Sequence, residues 1–260
     1  FTNIQGYIHD LTINCRTSVI EAGTTQNTEA ISPFAFSVEA EPGQAESGHL
    51  KNVKVKMSEK DSEGKDLVIQ APIPAGLVVI AYNKARIENC KVEAKLQVRL
   101  NQPDNGGKLN TDMRLYCGGI AAQTSTATLS GCHFYGSISA DNETWIKEQD
   151  QHLFFRGGIV GGVVFLNQDP TPKTEINDCA SWWGEIPPTE NKNKWSPCGS
   201  IIGSQYWFRG TTQQDGMEDD KCTGNWWYGE FQPIGDIEGE TEAEAKIGRR
   251  NGIQPEREDL

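Results

Sequence analysis

The sequence lacks any uninterrupted run of about 18 apolar residues, the length that a membrane-spanning helix needs. It also has few basic residues, since 24 lysines and arginines against 36 aspartates and glutamates give a formal net charge of −12. Nucleic acid and anionic membrane surfaces both attract basic protein surfaces. We therefore predict no nucleic-acid partner and no direct insertion into a membrane.

Common catalytic and metal-binding motifs are also missing. The sequence has no Gly-x-Ser-x-Gly, no phosphate-binding loop, no His-Glu-x-x-His and no Cys-x2-Cys pair. We therefore predict that the protein is not an enzyme and that it binds no cofactor. Calcium is one candidate ligand for the acidic cluster at Asp215, Glu218, Asp219 and Asp220, because Ca²⁺ takes carboxylate oxygens. Its irregular spacing favours the alternative of a solvated run of charges.

A short motif recurs along the chain: an apolar residue, a polar residue, a turn-forming residue and a second apolar residue. The copies are residues 8–11, 50–53, 87–90, 129–132 and 176–179, and we place a degraded sixth copy so that it ends at Cys222. The last positions lie 42, 37, 42, 47 and 43 residues apart. A period in this range indicates a repeat architecture.

The third position of each copy predicts a corner of the backbone. It holds Asp10, Asn52, Asn89, Gly131 and Asp178, the residue types that tolerate a positive φ. Apolar and polar residues alternate after each corner, which is typical of a half-buried strand. Short apolar runs opened by a small residue precede the later copies, at residues 75–80, 118–122, 157–161 and 199–203.

The order strand, corner, strand recurs at a regular period, which predicts an all-β fold. The architecture we predict is a right-handed parallel β-helix (β-solenoid) of about six irregular rungs, which stack about 4.8 Å apart. A β-sandwich is the alternative, but it gives no reason for one class of corner residue to recur. We assign residues 1–234 to the repeat domain. Residues 235–260 form an acidic tail, with a capping helix as one option, because a solenoid needs its terminal edge covered.

Two stretches resemble the GLUG repeat of bacterial surface proteins. Residues 118–122 with 127–138 match its glycine-rich strand, its Thr-Ile-x-Asn-Cys step and its small-residue end, and residues 76–96 match it through Tyr82, Asn83 and the 87–90 motif. The other copies match more loosely, so the resemblance covers about half of the chain. It implies an extracellular, adhesion-type role in presentation and binding, and it carries no catalytic residues.

Seven cysteines are present, at positions 15, 90, 117, 132, 179, 198 and 222. We place Cys90, Cys132, Cys179 and Cys222 at one position of successive repeats, which predicts a stacked row of free thiols facing the interior. Free cysteine packs like a small apolar residue and is often buried. Disulfides are the alternative, although an odd count leaves one thiol unpaired.

All seven tryptophans lie between residues 145 and 227. Adjacent strand residues point to opposite faces, so one member of each pair, Trp182/Trp183 and Trp226/Trp227, is expected to point outward. Exposed aromatic side chains indicate a binding surface. We name Trp182, Trp183, Trp207, Trp226 and Trp227 as candidate ligand-binding residues. The alternative is a small second core beneath long loops.

These observations predict a non-enzymatic surface or adhesion module that presents a binding face to a glycan or a surface protein. A polysaccharide lyase or glycosidase on the same fold and a structural assembly subunit are the alternatives. Phe1 lies inside the first repeat, so we expect a fragment or processed form of a longer protein. An upstream signal or anchor would then place it outside the cell or on the outer cell surface.

Overall fold

The structure is a computed structural model, and it describes residues 1–21, 29–44, 46–101, 115–140, 154–164, 174–183, 198–199, 201–204, 222–228 and 248–250. These residues form strands and turns, and none of them is helical. The described part of the chain accordingly contains no helix long and apolar enough to cross a membrane. The predicted all-β class is confirmed.

The strands are short, and most have two to five residues. In chain order they are β1 (Asn3–Ile4), β2 (Tyr7–His9), β3 (Thr12–Cys15), β4 (Val19–Ile20), β5 (Ala30–Ile31), β6 (Ala35–Glu39), β7 (His49–Lys51), β8 (Lys54–Met57), β9 (Ile69–Ala71), β10 (Ile73–Pro74), β11 (Val78–Tyr82), β12 (Arg86–Glu88), β13 (Lys91–Val98), β14 (Leu115–Gly118), β15 (Ala121–Ser125), β16 (Thr128–Ser130), β17 (His133–Ala140), β18 (Phe154–Gly157), β19 (Val160–Val163), β20 (Glu175–Asn177), β21 (Ala180–Trp183), β22 (Cys198–Gly199), β23 (Ile202–Ser204), β24 (Asn225–Tyr228) and β25 (Gly248–Arg250).

These strands form three long sheets and two short ones, and strands from successive repeats pair in parallel. The first sheet has the order β1-β6-β11-β15-β19-β23, and the second has the order β2-β7-β12-β16-β20. The third contains β3-β8-β13-β17-β21-β24-β25, with β4 and β9 paired beside it. A fourth sheet, β14-β18-β22, is linked to the pair β5-β10 by a parallel bridge between Ala75 and Gly118.

The chain visits these sheets in a fixed order. Strands β14, β15, β16 and β17 belong to the fourth, first, second and third sheets, and β18 to β21 repeat that order. Each of these four strands pairs with its counterpart one copy later. The repeat in the sequence is therefore a repeat of strand placement.

The corner residues have the positive φ that the sequence predicts. Asp10, Asn52 and Asp178 have φ of 53°, Asn89 has 52° and Gly131 has 59°. Each corner N–H donates to the carbonyl oxygen just before the next corner; the Asn89 N–H, for example, lies 2.8 Å from the Ser130 oxygen. The corner is thus part of the hydrogen-bond ladder.

The sixth copy lies three residues further along the chain than the sequence pattern suggests. Gly224 has a φ of 71°, and the Asp178 N–H donates to the oxygen of Thr223 at 3.0 Å. Trp226 pairs with Ala180, so Asn225 is the counterpart of Cys179. The sixth copy is residues 222–225, and the prediction that it ends at Cys222 is wrong.

Alternation along the strands divides core from surface. In β13, Val92, Ala94, Leu96 and Val98 are buried while the residues between them are partly exposed. The first apolar position of the motif is fully buried in the second to fifth copies, at Leu50, Ile87, Leu129 and Ile176. These side chains belong to one continuous core.

Glycine is required where the fourth sheet turns into the first. A Cβ on Gly118 would lie 1.8 Å from the Ala121 oxygen, and one on Gly157 would lie 1.7 Å from the Val160 oxygen. No side chain fits at either distance, which explains the small residues that open the apolar runs.

Only Gly248–Arg250 of the predicted tail are described, and they form β25, paired with β24. The rest of residues 235–260 lies outside the described part of the chain. The boundary between repeat domain and tail stays a prediction.

Candidate functional site

Three of the predicted cysteines form a buried row in the core. Cys90, Cys132 and Cys179 are fully buried and are free thiols. The Cys132 thiol lies within hydrogen-bonding reach of the thiols of Cys90 and Cys179, and it donates to the Ile87 oxygen at 3.2 Å. Burial raises the pKa of Cys90 and of Cys179. All three thiols pack as core residues, and a nucleophilic thiolate is disfavoured at Cys90 and Cys179.

Asn225, and not Cys222, continues this row. The Asn225 amide nitrogen donates to the Ile176 oxygen at 2.7 Å, and its amide oxygen accepts from the Cys179 N–H at 3.0 Å. Cys222 takes the apolar position that Ile176 holds one copy earlier, where burial raises its pKa to about 12. The predicted four-cysteine row is therefore wrong at its last member. The Cys198 side chain lies outside the described residues.

The outer face of the third sheet carries two rows of side chains that run across the strands. The first outer row is Thr12, Lys54, Lys91, His133, Ala180 and Trp226, and the second outer row is Asn14, Lys56, Glu93, Tyr135 and Trp182. Parallel register places these residues side by side at about 4.8 Å per strand. Lysines occupy the earlier copies and aromatic residues the later ones.

His133, Tyr135 and Trp182 form an aromatic cluster on this face. The rings of Tyr135 and Trp182 stack with centroids 4.5 Å apart and an interplanar angle of 17°. His133 meets both rings edge-on at 6.1 Å, and its Nδ1 lies 3.3 Å from the Tyr135 hydroxyl. Tyr135 is only 4% exposed, whereas Trp182 is half-buried. Trp182 and His133 therefore supply most of the accessible surface of this cluster.

A groove of about 310 Å³ opens beside this cluster. It exists because β8 ends at Met57 and β9 begins at Ile69, so Ala94 and Lys95 of β13 have no strand partner on that side. Met57, Leu67 and Ala94 supply its apolar lining, Glu59, Glu93 and Lys95 its charged groups, and Tyr135 and Trp182 its aromatic wall. Its volume is at the lower end of the range for small-ligand sites.

The loop at residues 58–67 forms the other wall of the groove. Lys60 and Asp66 form an antiparallel bridge, and the Asp61 carboxylate accepts the N–H groups of Glu63 and Lys65 at 2.8 Å each. Lys95 Nζ lies 3.2 Å from Asp66 Oδ1 and ties the loop to the sheet. Contacts within the loop and to the sheet therefore hold this wall.

The tryptophan pairs divide between core and surface where the structure describes them. Trp227 is 6% exposed and belongs to the core, while Trp226 is half-buried on the first outer row. Trp183 pairs with Gly136, and its side chain lies outside the described residues. Trp207 and the acidic residues Asp215, Asp219 and Asp220 also lie outside them.

Sequence reasoning missed a second cluster, on the outer face of the second sheet. The His49 ring is 5% exposed and stacks on Tyr7 at 4.7 Å, and its Nε2 lies 3.2 Å from Glu88 Oε2. Isolated histidines give no pattern in a sequence, so only strand register reveals this contact. Among the residues that the structure describes, no group of three or more His, Cys, Asp or Glu side chains could hold a metal ion.

A third polar cluster lies at the end of the first sheet. The Glu39 carboxylate accepts from Asn3 Nδ2 at 2.6 Å and from Gln5 Nε2 at 2.9 Å. Hydrogen bonds from Tyr82 and from these amides lower the pKa of Glu39. Burial and the bond to Glu39 raise the pKa of Tyr82 to about 12.

No protein-family model matches this chain, and no curated protein or solved structure matches it. The resemblance to GLUG repeats therefore stays a prediction.

Proposed function

We propose that the chain folds as a right-handed parallel β-helix. Its support is the fixed order in which the chain visits four sheets, with each strand paired in parallel to its counterpart one copy later. β-Sandwiches are built from antiparallel sheets, so the pairing favours the β-helix. The hand follows from the general preference of parallel crossovers, about 98% of which are right-handed.

The function that this architecture supports best is that of a non-enzymatic binding module. One observation carries the proposal: the stacked Tyr135–Trp182 pair stands on an outer sheet face beside a groove with an apolar floor and a few charged groups. Ligand sites are typically concave and mostly apolar with a few placed polar groups. The ligand is a glycan or a surface protein, and the GLUG-like copies support an extracellular or outer-surface location.

The test compares Trp182→Ala with Tyr7→Ala on a glycan array and in pull-downs with host-matrix proteins. Tyr7 is a matched control, since it is an exposed aromatic residue (40%) on the second sheet. We expect Trp182→Ala to weaken binding about tenfold or more, as truncation of an interface aromatic does, and Tyr7→Ala to leave it unchanged. Equal binding by both variants would refute the proposal for this face.

The groove also gives the enzymatic alternative a specific basis. Glu59 and Glu93 both line it, and paired carboxylates are what glycoside hydrolysis requires. A turnover screen on neutral and acidic polysaccharides separates the two functions. If the wild type forms product and both Glu59→Gln and Glu93→Gln lose this activity, the protein is an enzyme and the proposal of a non-enzymatic binding module is refuted.

A further inference from the structure

The charge on the outer face of the third sheet differs from that of the whole chain. The chain carries a formal net charge of −12. Yet the outer positions of β8 and β13 hold Lys54, Lys56, Lys91 and Lys95, and the one carboxylate among the described outer positions of this sheet is Glu93. Beside this face, Asp66 pairs with Lys95 and Glu59 lines the groove. Lysines thus outnumber carboxylates locally in an acidic protein.

Two of these lysines are direct neighbours. Lys54 and Lys91 are register partners in adjacent parallel strands, so both side chains leave the same face about 4.8 Å apart at the backbone. Like charges placed opposite each other on a sheet are destabilising. An anionic ligand placed between the two ammonium groups would be attracted by both.

The aromatic cluster continues the same two rows. His133 follows Lys91 in the first outer row, and Tyr135 and Trp182 follow Lys56 and Glu93 in the second. A ligand that lies across the strands therefore meets cationic groups first and aromatic groups next, at a regular spacing set by the strands. A polysaccharide offers anionic groups and apolar ring faces at a comparable regular spacing along its chain.

We infer that the outer face of the third sheet binds an anionic polysaccharide, a chain of sugars that bears carboxylate or sulfate groups. The anionic groups bind Lys54 and Lys91, and sugar rings contact the partly exposed members of the aromatic cluster, His133 and Trp182. This inference rests on the proposed function and narrows its ligand. Nucleic acid is the less favoured polyanion, because nucleic-acid-binding proteins carry a strongly basic surface and this chain as a whole is acidic.

The experiment measures the affinity of the intact chain by isothermal titration calorimetry for four probes: polygalacturonate fragments, dextran sulfate, neutral dextran and single-stranded DNA. We expect binding to one or both anionic polysaccharides, no binding to dextran, and weaker binding as salt rises, because screening shortens electrostatic attraction to about 10 Å at 0.1 M. Comparison of polygalacturonate with dextran sulfate distinguishes carboxylate from sulfate recognition.

Substitutions of single lysines and of a lysine pair test whether the ligand binds to this face. The double variant Lys54→Gln with Lys91→Gln should weaken binding at least tenfold. Lys51→Gln, a lysine on the outer face of the second sheet that is 40% exposed, should leave it unchanged. Near-UV circular dichroism checks that each variant is folded. Equal affinity of the double variant and the wild type would overturn the inference.

Other outcomes separate this inference from the proposed function. Binding of dextran as tight as that of the charged polysaccharides, lost in Trp182→Ala but retained in the lysine variant, overturns the inference and leaves the binding module intact. Tighter binding of DNA than of either polysaccharide also overturns it. If the protein binds none of these probes, no other glycan and no matrix protein, both the inference and the proposed function are refuted.

Discussion

At the scale of single residues, Asn225 shows how one amide can replace a thiol. Its side chain is fully buried and uses both ends, as donor to the Ile176 oxygen and as acceptor from the Cys179 N–H. Cys179 makes the corresponding contact to the Leu129 oxygen one copy earlier, with a single donor at 3.8 Å. The amide therefore makes two short hydrogen bonds at this position, whereas the corresponding thiol contact to the Leu129 oxygen is longer.

Replacement of Asn225 by leucine should lower the free energy of unfolding by about 2–4 kcal/mol, because two buried backbone groups would lose their partners. Asn225→Cys should cost less, since a thiol can still donate to the Ile176 oxygen. Urea denaturation followed by circular dichroism measures both. If the leucine and cysteine variants have equal free energies of unfolding, the two hydrogen bonds of Asn225 make no net contribution to stability.

The pair Glu39 and Tyr82 predicts a stability change in alkaline solution. The ordinary pKa of tyrosine is 10.0, and that of Tyr82 is raised to about 12, so the folded state favours the protonated phenol. This contribution is fully present below pH 10 and is lost as the pH rises towards 12. We expect the wild type to lose more stability than Tyr82→Phe between these pH values, as measured by urea unfolding. Parallel losses in both proteins would contradict the assignment.

The corner residues were predictable from the sequence, because few residue types tolerate a positive φ and one class recurs. The sixth corner was placed wrongly, because Cys222 resembles the cysteine position while Asn225 does not look like a core residue. A polar side chain at a core position becomes intelligible only when its backbone partners are known. The His49 contact with Glu88 depends on register between distant strands, which no local pattern encodes.

At the scale of strands, the proposed binding of an anionic ligand and the stability of the sheet make opposite demands on the outer lysines. Lys54 and Lys91 stand side by side on β8 and β13. Lys54→Gln should raise the free energy of unfolding by about 0.2–1 kcal/mol, the size of a cross-strand charge effect, while it weakens binding of an anionic ligand. Urea denaturation at low salt measures the stability change, and Lys51→Gln is the control. A loss of stability in Lys54→Gln would show that this lysine serves the fold.

The three buried thiols that follow the corners after β12, β16 and β20 provide a second test at this scale. Cys90, Cys132 and Cys179 are fully buried, whereas Cys15 is partly exposed. We expect a thiol reagent to label few cysteines quickly in the native protein and all seven in denaturant. Rapid labelling of most thiols without denaturant would contradict the buried row.

The groove illustrates what strand-level prediction leaves out. Alternation in the sequence predicts β8 and β13 and their outward lysines, but it gives no indication that Ala94 and Lys95 lack a strand partner. That gap arises from a loop in one copy facing a continuous strand in the next. Its position depends on register across two copies, and so does the meeting of Tyr135 with Trp182.

At the scale of the whole molecule, the first repeat has one edge with no strand partner among the residues that the structure describes. Strands β1, β2, β3 and β4 each pair with one neighbour. The large apolar residues that are exposed in the described part of the chain all lie near this end: Phe1, Tyr7, Ile20 and Phe36. Ile8 and Ile13 are half-buried, while their counterparts Leu50 and Val55 are fully buried.

Open strand edges with exposed apolar residues favour association. We expect the mass of the protein to rise with concentration in size-exclusion chromatography with light scattering. Asn14→Pro should reduce this association. The Leu11 and Cys15 oxygens accept from the N–H groups of Lys54 and Ser58, so alternation turns the Asn14 N–H to the opposite edge of β3, where proline removes it. A single mass of 28.7 kDa at every concentration would contradict the expectation and disfavour an assembly subunit.

The parallel ladders have a mechanical consequence. Their hydrogen bonds run from copy to copy, across the strands, and each copy is held by its immediate neighbours. A pull at right angles to the strands loads one ladder step at a time and peels the molecule in small, repeated drops of force. A pull along the strands shears a whole ladder step at once and meets greater resistance. The direction of attachment, more than the total number of bonds, would decide how much tension this protein can bear.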